Sequence, residues 1–398
     1  MATKELSDRL SLFGSSATGA VQSKVNELIR QGQTVLSLNI GEPDFDTPDT
    51  AKTAGIDAIR RGETKYTVIS GSSDLRQAIS QKLLCENGLN YSIDEICVST
   101  GAKQALFEAV MAVCNEGDEV IIPVPSWVSY SAMVKIAGAV PVFVSSKEDF
   151  SLDIDKIEAA VTCRTKAVII CSPNNPSGAV YSEESLRALA DLAVKYDFFV
   201  IADEIYEKLV YDGYKHFSIA SFSQDIWERT ITVNGFSKAY AMTGWRIGYA
   251  AARKDIIAAI IQLQSQITSC ASSIGQQAAI GALSGEQCET EYMVGEFKKR
   301  RDLACRLLAG IPNISFIKPH GAFYILADIS YYLGRSYDGR LINDAAALCE
   351  HLLDTVRVAA VPGDSFGVKG YIRISYSCSE ETLSLALGRM KEALLLLK

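Results

Sequence analysis

Short apolar runs alternate with amphipathic stretches from about residue 95 to residue 252. Strands are predicted for the apolar runs at 96–99, 119–123, 140–145, 167–171, 198–202, 230–233 and 247–251. The segment 182–196 is typical of the intervening stretches, because Leu186, Leu189 and Leu192 recur at helical spacing. Near-continuous apolar strands separated by helices predict an α/β fold, with a mostly parallel sheet covered by helices on both faces.

The pattern changes towards the end of the chain. Residues 254–300 are predicted to be helical, and shorter elements follow residue 312. Short strands are predicted at 314–318, 323–328, 357–360 and 371–376, and a last helix at 380–397. We therefore expect a large domain over residues 46–300 and a smaller α+β domain formed by residues 1–45 and 301–398.

Composition limits the class of protein. The 398 residues are 48% hydrophobic and 22% charged, with a formal net charge of −8. These values are typical of a globular protein with a large core, and they exclude a disordered chain, a collagen-like repeat and a small disulfide scaffold. No Lys/Arg block is dense enough to follow a nucleic-acid backbone. No apolar run approaches the roughly 20 residues that a membrane helix needs, and the N-terminus lacks a signal-like apolar stretch.

Cysteine and histidine usage argues against two other kinds of chemistry. The ten cysteines form no C-x-x-C pair, and with no visible signal segment they are expected to be reduced thiols of a cytoplasmic protein. His216, His320 and His351 lie far apart and follow no ligand pattern. We therefore expect no metal site and no Ser-His-Asp triad, so the chemistry must come from other groups.

Lys238 is the first candidate for that chemistry. It follows a predicted strand in a small, polar turn of the segment NGFSKAYAMTGWRIGY, and Arg246 comes eight positions later. Parallel sheets bind ligands at the carboxyl ends of their strands, and a desolvated lysine near positive charge becomes a Schiff-base nucleophile. A solvated surface lysine is the ordinary alternative for any single lysine.

Two further segments follow predicted strands. Asp203 closes the run FFVIAD, where a carboxylate could hold a pyridinium nitrogen protonated, although a helix N-cap is the ordinary alternative. The segment SPNNPSG at 172–178 has the composition of a turn, and its asparagines could donate from a fixed loop to a ligand oxygen.

The segment STGAKQ at 99–104 joins a strand to a helix predicted over 105–114. Small residues at a helix start expose backbone N–H groups, and the helix dipole favours an anion there. The segment lacks the Gly-Lys-Ser/Thr ending of a Walker loop and the spaced glycines of a dinucleotide fold, so a bare phosphate fits it better. Trp127 could stack on a flat ring, although tryptophan more often belongs to a core or an interface.

These segments belong to an ordered set that extends over nearly the whole chain. The set is SLNIGEPDFDTP, KYTVISGSSDLR, STGAKQALFEAV, PSWVSY, SPNNPSGAVY, ADEIYE, NGFSKAYAMTGWRIGY, GAFYIL and YIRISYS. It resembles the class I aminotransferases, which are pyridoxal-phosphate-dependent enzymes of fold type I. Within them it is similar to the bacterial-type aspartate aminotransferases. The resemblance implies a large cofactor-binding domain with a mostly parallel mixed sheet, and a smaller α+β domain.

The resemblance assigns cofactor-binding roles. Lys238 matches the lysine that forms the Schiff base and moves the proton during the reaction, and Asp203 matches the carboxylate on the pyridine nitrogen. The other matched positions are Tyr206 and Asn175 on the phenolic oxygen, Trp127 over the ring, and Arg246 with Gly101, Ala102 and Lys103 on the phosphate. Tyr66 matches a tyrosine that reaches the phosphate in the neighbouring subunit, which implies a homodimer with shared active sites.

The resemblance also assigns substrate-binding roles. Arg373 matches the arginine that holds the α-carboxylate through two parallel hydrogen bonds, and the backbone N–H of Gly41 touches the same group. Trp127 and Asn175 contact the substrate as well as the cofactor. Lys103 is expected to bind the distal carboxylate, with help from the N-terminal loop around residues 16–18.

The chain departs from the family pattern at two positions. Many relatives carry a phosphate-binding serine where this chain has Gly235, so Ser237 or another donor must replace it. Relatives that transaminate prephenate carry a lysine in the segment that matches residues 13–16, where this chain has Gly14. The second departure argues against prephenate activity.

The resulting expectation is a transaminase that acts by a two-step, ping-pong transfer. L-Aspartate passes its amino group to the cofactor, and 2-oxoglutarate collects it, giving oxaloacetate and L-glutamate. The alternatives are a transaminase of aromatic, kynurenine or alanine specificity, or a β-lyase of the same fold. A non-catalytic ligand-sensing domain is a more distant alternative.

Overall fold

The computed structural model describes Ser7, Leu10, Leu12 and residues 17–398. Its strands are β1 Leu36–Ser37, β2 Ile96–Ser99, β3 Glu119–Val124, β4 Val140–Ser145, β5 Thr165–Cys171, β6 Phe199–Asp203, β7 Thr230–Gly235, β8 Gly248–Ala251, β9 Ser315–Phe316, β10 Tyr324–Asp328, β11 Ser336–Tyr337, β12 Arg340–Leu341, β13 Val358–Ala359, β14 Val361–Pro362 and β15 Tyr371–Ser375. Its α-helices are α1 Ala17–Arg30, α2 Asp49–Arg60, α3 Ser73–Asn87, α4 Ala102–Val113, α5 Ser129–Ile136, α6 Ile154–Ala159, α7 Glu183–Tyr196, α8 Gln224–Trp227, α9 Lys254–Ile267, α10 Ser273–Ser284, α11 Cys288–Ala309, α12 Ala345–Val356 and α13 Glu380–Leu395.

The main sheet confirms the predicted α/β class. Within the described residues it has seven strands in the order β2-β8-β7-β6-β5-β3-β4. Strand β8 runs antiparallel to both of its neighbours, and the other pairs are parallel. Each of the seven predicted strands is present, with ends that shift by at most two residues. The helix predicted over 105–114 was wrong at its start, because α4 begins at Ala102, directly after the turn at Gly101.

Helices cover both faces of this sheet. On one face Ile169, Ile201 and Ile231 belong to the core cluster that includes residues of α4 and α9. On the other face Val168 and Val200 pack with the apolar side of α7. Successive residues of one strand therefore enter different cores, which explains why these strands carry no polar alternation.

The carboxyl ends of the central parallel strands meet at one edge of the sheet. The register pairs Cys171 of β5 with Asp203 of β6, and Asp203 with Val233 of β7. Lys238 follows three residues after the end of β7. The fold thus brings the ends of β5, β6 and β7 to the same edge, where open α/β sheets bind ligands.

A second, antiparallel sheet lies beyond this edge. It has the order β14-β15-β10-β9 in the part of the chain that the structure describes, and α12 and α13 pack nearby. Strand β1, near the start of the chain, pairs in parallel with β13, near its end. Arg373 lies on β15 opposite Leu326 of β10, and Tyr324 lies opposite Ser375.

Among the described residues, no helix combines the length and the apolar character that crossing a bilayer would need.

Candidate active site

A cavity of about 570 Å³ opens at the carboxyl edge of the main sheet. Most of the site residues predicted from the sequence line it: Gly41, Ala102, Lys103, Trp127, Asn175, Asp203, Tyr206, Ser237, Lys238, Arg246 and Arg373. They come from segments as far apart as residues 41 and 373, so the fold assembles them from both ends of the chain. Four of these lining residues, Lys103, Lys238, Arg246 and Arg373, carry cationic groups, which suits a ligand with several negative charges.

Lys238 projects into this cavity from the loop that follows β7. Its ammonium donates a hydrogen bond to the carbonyl oxygen of Gly41. Burial lowers the pKa of Lys238 to about 8, and the positive charges of Arg373 and Arg246 act in the same direction against the carboxylate of Glu42. The neutral amine is therefore accessible near physiological pH, as a Schiff-base nucleophile or a general base requires.

Asp203 lies at the end of β6 and is 4% exposed. One carboxylate oxygen accepts a hydrogen bond from the Tyr130 hydroxyl at 2.6 Å, and the other accepts one from the backbone N–H of Ile205 at 3.2 Å. Burial raises the pKa of Asp203 to about 6. The residues that follow form a turn and not a helix, so Asp203 is not a helix N-cap. It is a fixed, buried proton acceptor at the cavity wall.

Arg373 lies on β15 and is 2% exposed. Its guanidinium donates to the side-chain oxygen of Asn175 at 3.1 Å and to the backbone oxygen of Asn39 at 2.8 Å. The aromatic rings of Tyr324 and Phe366 lie 4.5 and 5.0 Å from its Cζ. Nε of Arg373 is buried without a hydrogen-bond partner among the described residues. An oriented, buried guanidinium with a donor to spare is suited to a carboxylate ligand.

Arg246 and the start of α4 form a second anion-binding region. Arg246 has a left-handed backbone with φ of 58°, and its guanidinium donates to the carbonyl oxygen of Thr243 at 2.9 Å. Gly101 has φ of 82°, and a Cβ built on it would lie 2.9 Å from Cζ of Arg246. Only a residue without a side chain lets the guanidinium approach the first N–H groups of the helix. The pair combines a cation with a helix N-terminus, which is the arrangement that binds phosphate.

Two pairs of aromatic residues complete the walls of the cavity. The hydroxyl oxygens of Tyr206 and Tyr324 lie 2.9 Å apart, and both rings are buried. Trp127 packs edge-on against Tyr130 at a centroid distance of 5.4 Å. The ammonium of Lys103 lies 5.1 Å from the centroid of Trp127. Partial burial and the charge of Arg246 lower the pKa of Lys103. A flat aromatic wall and a cation therefore lie side by side at the cavity.

Comparisons with known proteins give the family independently of this geometry. The family model for aminotransferase class I and II matches residues 33–390. This chain belongs to that family. The aspartate aminotransferase of Rhizobium meliloti (strain 1021) is 44% identical over 389 residues, which are 97% of this chain and 95% of that protein. A Petunia hybrida protein described as a bifunctional aspartate aminotransferase and glutamate/aspartate-prephenate aminotransferase is 47% identical over 402 residues, which are 99% of this chain and 83% of that protein.

Solved structures give the same result for the fold of this aminotransferase. The crystal structure of the aspartate aminotransferase from Rhizobium meliloti has a TM-score of 0.95 at 43% identity, and the match covers 100% of both chains. The structure of the Thermus thermophilus aspartate aminotransferase with maleate has a TM-score of 0.92 at 42% identity, covering 98% of this chain and 100% of that one. The resemblance recognised in the sequence motifs, and the α/β fold that it implies, are confirmed.

Some predicted residues of the aminotransferase lie elsewhere. Gly101 borders the cavity at the start of α4, and Tyr66 is 90% exposed and does not line it. Gly14 and Ser16 lie outside the described residues, and the side chain of Thr18 is not described either. Gly235 faces β8, where a Cβ would lie 2.9 Å from Cα of Gly248. This close approach leaves no room for a serine, whereas the nearby Ser237 is buried and lines the cavity.

Sequence reasoning missed other residues of the aminotransferase cavity. Tyr130, Tyr324 and Asn39 line it, and Tyr130 and Tyr324 contact predicted site residues directly. Each lies inside a motif that was recognised, yet none was assigned a role. Tyr130 has a signal that could have been used, since it follows Trp127 by three positions in the same short motif, and its backbone N–H closes a turn on the Trp127 carbonyl. Tyr324 depends on strand register, which the sequence does not reveal.

Proposed function

We propose that this aminotransferase transfers an amino group from L-aspartate to 2-oxoglutarate through pyridoxal 5′-phosphate, giving oxaloacetate and L-glutamate. The observation that carries the proposal is that Lys238, Asp203 and Arg373 line one cavity in a chain of the aminotransferase class I and II family. The similarity to the aspartate aminotransferases of Rhizobium meliloti and Thermus thermophilus supports aspartate as the donor.

The cavity fits the proposed cofactor on its own chemistry. Arg246 and the start of α4 offer a cation and helix N–H groups to a phosphate. Asp203 offers a buried carboxylate whose pKa is raised to about 6, which suits a ring nitrogen that carries a proton. Lys238 offers an amine of lowered pKa to an aldehyde. The three groups line the same cavity, so one ligand with a phosphate, a ring nitrogen and an aldehyde could meet them all.

Further residues would hold the ring in place. We propose that Tyr206 and Asn175 hydrogen-bond its phenolic oxygen and that Trp127 stacks on its face. The buried position of Tyr206 and the half-buried position of Trp127 at the cavity support these roles. Ser237 is the proposed additional phosphate donor in place of the serine missing at Gly235. When bound, pyridoxal phosphate supplies an electron-withdrawing ring that accepts the electron pair released from the substrate Cα–H bond.

Lys238 is the proposed proton carrier. Its pKa of about 8 leaves a useful fraction of the amine neutral at neutral pH, so Nζ can accept the proton of the substrate Cα and release it again. The hydrogen bond to the Gly41 carbonyl limits where Nζ can lie. General acid–base catalysis by a positioned side chain is worth about 10²–10⁴-fold in rate.

Arg373 is the proposed binding group for the substrate α-carboxylate. Its hydrogen bonds to Asn175 and Asn39 and its position between two aromatic rings fix the guanidinium plane. A fixed guanidinium binds a carboxylate through two parallel hydrogen bonds, and the backbone N–H of Gly41 is the proposed third donor. Binding of this kind orients the Cα–H bond towards Lys238.

Lys103 is the proposed partner of the distal carboxylate of aspartate, and this assignment predicts a selective loss. In Lys103→Met the kcat/KM for aspartate should fall about tenfold to a hundredfold, because one charged hydrogen bond is removed. The kcat/KM for alanine, which has no distal carboxylate, should change little. Equal losses for both donors would contradict the assignment.

One experiment separates the proposed function from its alternatives. The protein is loaded with pyridoxal phosphate and given L-aspartate alone, and a transaminase should release about one equivalent of oxaloacetate per active site and then stop. A β-lyase would instead release ammonia and a pyruvate-like product continuously.

Steady-state rates with aspartate, tyrosine, alanine and kynurenine as donors to 2-oxoglutarate then test donor specificity. A higher kcat/KM for any other donor would refute aspartate as the preferred one. Prephenate activity should be weak, given Gly14.

We also propose a homodimer in which Tyr66 reaches the phosphate site of the partner subunit. The segment around Tyr66 is anchored on both sides, because Ser273 donates to the Glu63 carbonyl and Gln264 donates to the Ile69 carbonyl. The Tyr66 side chain itself projects outward. An exposed aromatic group on an anchored segment supports a role in a subunit contact.

The domain division and the compartment are proposals as well. The pairing of β1 with β13 supports a small domain made of residues 1–45 and 301–398 beside a large domain of residues 46–300. All ten cysteines are free, which is usual in a reducing compartment and supports a cytoplasmic location.

A further inference from the structure

Tyr324 lies between Tyr206, the proposed contact of the cofactor, and Arg373, the proposed contact of the substrate carboxylate. It is 1% exposed, and it lines the cavity from β10. In the antiparallel pair of β10 and β15, Tyr324 lies opposite Ser375 while Arg373 lies opposite Leu326. Tyr324 and Arg373 are therefore diagonal neighbours on one face of the sheet, a separation that long side chains bridge.

The ring of Tyr324 supports Arg373. Cζ of Arg373 lies 4.5 Å from the ring centroid, and the guanidinium carries no carboxylate partner among the described residues. A cation over an aromatic face is attracted by the ring, more strongly when both are removed from water. The ring therefore helps to hold the guanidinium in the plane in which it would receive a carboxylate.

The hydroxyl of Tyr324 contacts Tyr206. The two hydroxyl oxygens are 2.9 Å apart, and neither has another hydrogen-bond partner in the part of the chain that the structure describes. A tyrosine hydroxyl has one proton to donate. If Tyr324 donates to Tyr206, the proton of Tyr206 stays free for a ligand in the cavity, and donation from a neighbour also makes Tyr206 a stronger donor.

We infer that Tyr324 is a positioning residue that couples the two ends of the site, and this inference rests on the proposed function. Its hydroxyl donates to Tyr206 and directs the proton of Tyr206 to the phenolic oxygen of the cofactor. Its ring holds Arg373 in the plane that binds the substrate α-carboxylate. One side chain thus acts on Tyr206 through its hydroxyl and on Arg373 through its ring.

The two parts of the side chain can be removed one at a time. Tyr324→Phe removes the hydroxyl and keeps the ring, whereas Tyr324→Leu removes both. The probe is pyridoxal phosphate added to the unloaded protein, with its dissociation constant and the pH midpoint of the visible absorption band as readouts. The KM for aspartate is measured on the loaded protein.

Tyr324→Phe should weaken pyridoxal phosphate binding about twofold to tenfold, the worth of one neutral hydrogen bond. It should also move the pH midpoint of the visible band upward by about 0.3–1 unit. The reason is that the phenolic oxygen of the cofactor then receives a weaker hydrogen bond from Tyr206 and holds the proton next to it more tightly. The KM for aspartate should stay unchanged. Tyr324→Leu should show the same shift and also raise the KM about twofold to thirtyfold, through loss of the ring contact.

Tyr206→Phe tests whether the hydroxyl acts through Tyr206. In a Tyr206→Phe background, adding Tyr324→Phe should cause no further shift of the pH midpoint, because the group that it acts on is absent. Tyr332→Phe is the matched control, since it also removes the hydroxyl of a buried tyrosine, but that hydroxyl donates to the backbone carbonyl of Pro312 and lies away from the cavity. It should leave the pH midpoint and the KM unchanged.

Two results would overturn the inference. One is a pH midpoint that Tyr324→Phe leaves unchanged while thermal stability falls as in Tyr332→Phe, which is what a packing residue would give. The other is an equal shift with and without the Tyr206 hydroxyl. Failure of the proposed function looks different, because the unsubstituted protein would then show no visible band with pyridoxal phosphate.

Discussion

Burial has opposite electrostatic effects on the two central residues of the site. It lowers the pKa of Lys238 to about 8 and raises the pKa of Asp203 to about 6. In both cases the low-dielectric surroundings disfavour the charged form. The lysine thereby becomes a nucleophile and base that works near neutral pH, and the carboxylate becomes a strong proton acceptor. One cavity supplies both activities without a histidine.

The lowered pKa of Lys238 predicts how cofactor capture depends on pH. The neutral amine attacks an aldehyde, and its fraction rises as pH increases through the pKa, so the rate at which unloaded protein captures pyridoxal phosphate should rise with a midpoint near pH 8. Stopped-flow absorbance of the developing visible band measures this rate. A rate that keeps rising to the ordinary lysine range of about pH 10.4 would show that the amine is not desolvated.

The sequence alone predicted the site residues that lie near the ends of apolar strands. It missed those whose position depends on how two paired strands align. Asp203 ends one apolar strand and Lys238 comes shortly after another, so their place at the sheet edge could be predicted from the pattern alone. Tyr324 meets Arg373 only because β10 and β15 pair with one particular alignment across about 50 residues of intervening chain. That alignment is set by packing of the whole small sheet, which no local motif specifies.

At the scale of elements, the start of α4 carries the proposed phosphate site. Its geometry depends on Gly101, which has a left-handed backbone and leaves space for the Arg246 guanidinium. The prediction that the helix starts at residue 105 was wrong because the segment Gly101–Ala102 was read as part of the turn. Small residues at this point are compatible with a turn and also with a helix start that the Arg246 guanidinium approaches closely. The sequence alone does not distinguish the two.

Gly101→Ala should weaken cofactor binding at this site as well as destabilise the fold through backbone strain. Gly117→Ala is the matched control, because Gly117 has a similar φ of 83° but nothing within 4 Å of an added Cβ. Both variants should lose about 1–2 kcal/mol of unfolding free energy through the left-handed backbone. Only Gly101→Ala should also weaken pyridoxal phosphate binding, by about tenfold to a hundredfold, since it displaces the guanidinium. Denaturant unfolding and cofactor titration measure the two effects, and equal affinities in the two variants would contradict the assignment.

The turn after β6 is held by a buried polar cluster. Lys82 and Asn87 of α3 bind the carboxylate of Glu207, and His216 and Ser218 bind that of Glu204. Ligand atoms of Glu204, Glu207 and His216 lie within 4.8 Å of one another, yet the Lys82 ammonium already pairs with Glu207, so we interpret the group as an ion-pair cluster. It fixes Tyr206, which lies between the two glutamates in sequence.

This cluster predicts an acid-sensitive stability. Burial alone would oppose ionisation, but the charges of Lys82 and His216 and the hydrogen bond from Asn87 lower the pKa of Glu207 to about 2. A carboxylate with a depressed folded-state pKa stabilises the fold above its unfolded pKa of about 4.3, and this contribution is lost as pH falls towards 2. Glu207→Gln should therefore cost about 3–5 kcal/mol at neutral pH, because it leaves the buried Lys82 ammonium with only the more exposed carboxylate of Glu86, 3.5 Å away, and the difference should shrink below pH 4.

Denaturant unfolding at several pH values measures this effect. Glu158→Gln is the control, since Glu158 binds Lys195 at 2.7 Å in an ion pair that is exposed to solvent. It should change stability little at any pH. A constant difference between wild type and Glu207→Gln down to pH 2 would show that folding does not lower the pKa of Glu207.

At the scale of the molecule, both ends of the chain meet at the site. Asn39 and Gly41 contact Arg373 and Lys238, so residues from near the start of the chain complete a site built mostly by the main sheet. The core cluster that contains Leu36 and Leu38 also contains residues of the main sheet and of β15, which ties the parts together. The order of the motifs identified the family, but only the fold shows how distant segments touch.

The proposed homodimer predicts complementation between inactive subunits. Tyr66→Ala should bind the cofactor weakly, and Lys238→Ala should be inactive. A mixed dimer of the two should regain one active site, because Lys238 of the first subunit would then face an intact Tyr66 from the second. Activity on mixing after partial unfolding, together with a dimer mass in sedimentation, measures this. Absence of regained activity in a proven mixed dimer would refute the shared site.

Identifying the lysine that carries the cofactor tests the central claim most directly. The protein loaded with pyridoxal phosphate is reduced with borohydride, digested, and searched for the modified peptide by mass spectrometry. The cofactor should be fixed to Nζ of Lys238, inside the peptide that contains NGFSKAYAMTGWR. Attachment to another lysine, or a protein that takes up no cofactor and stays colourless, would contradict the account.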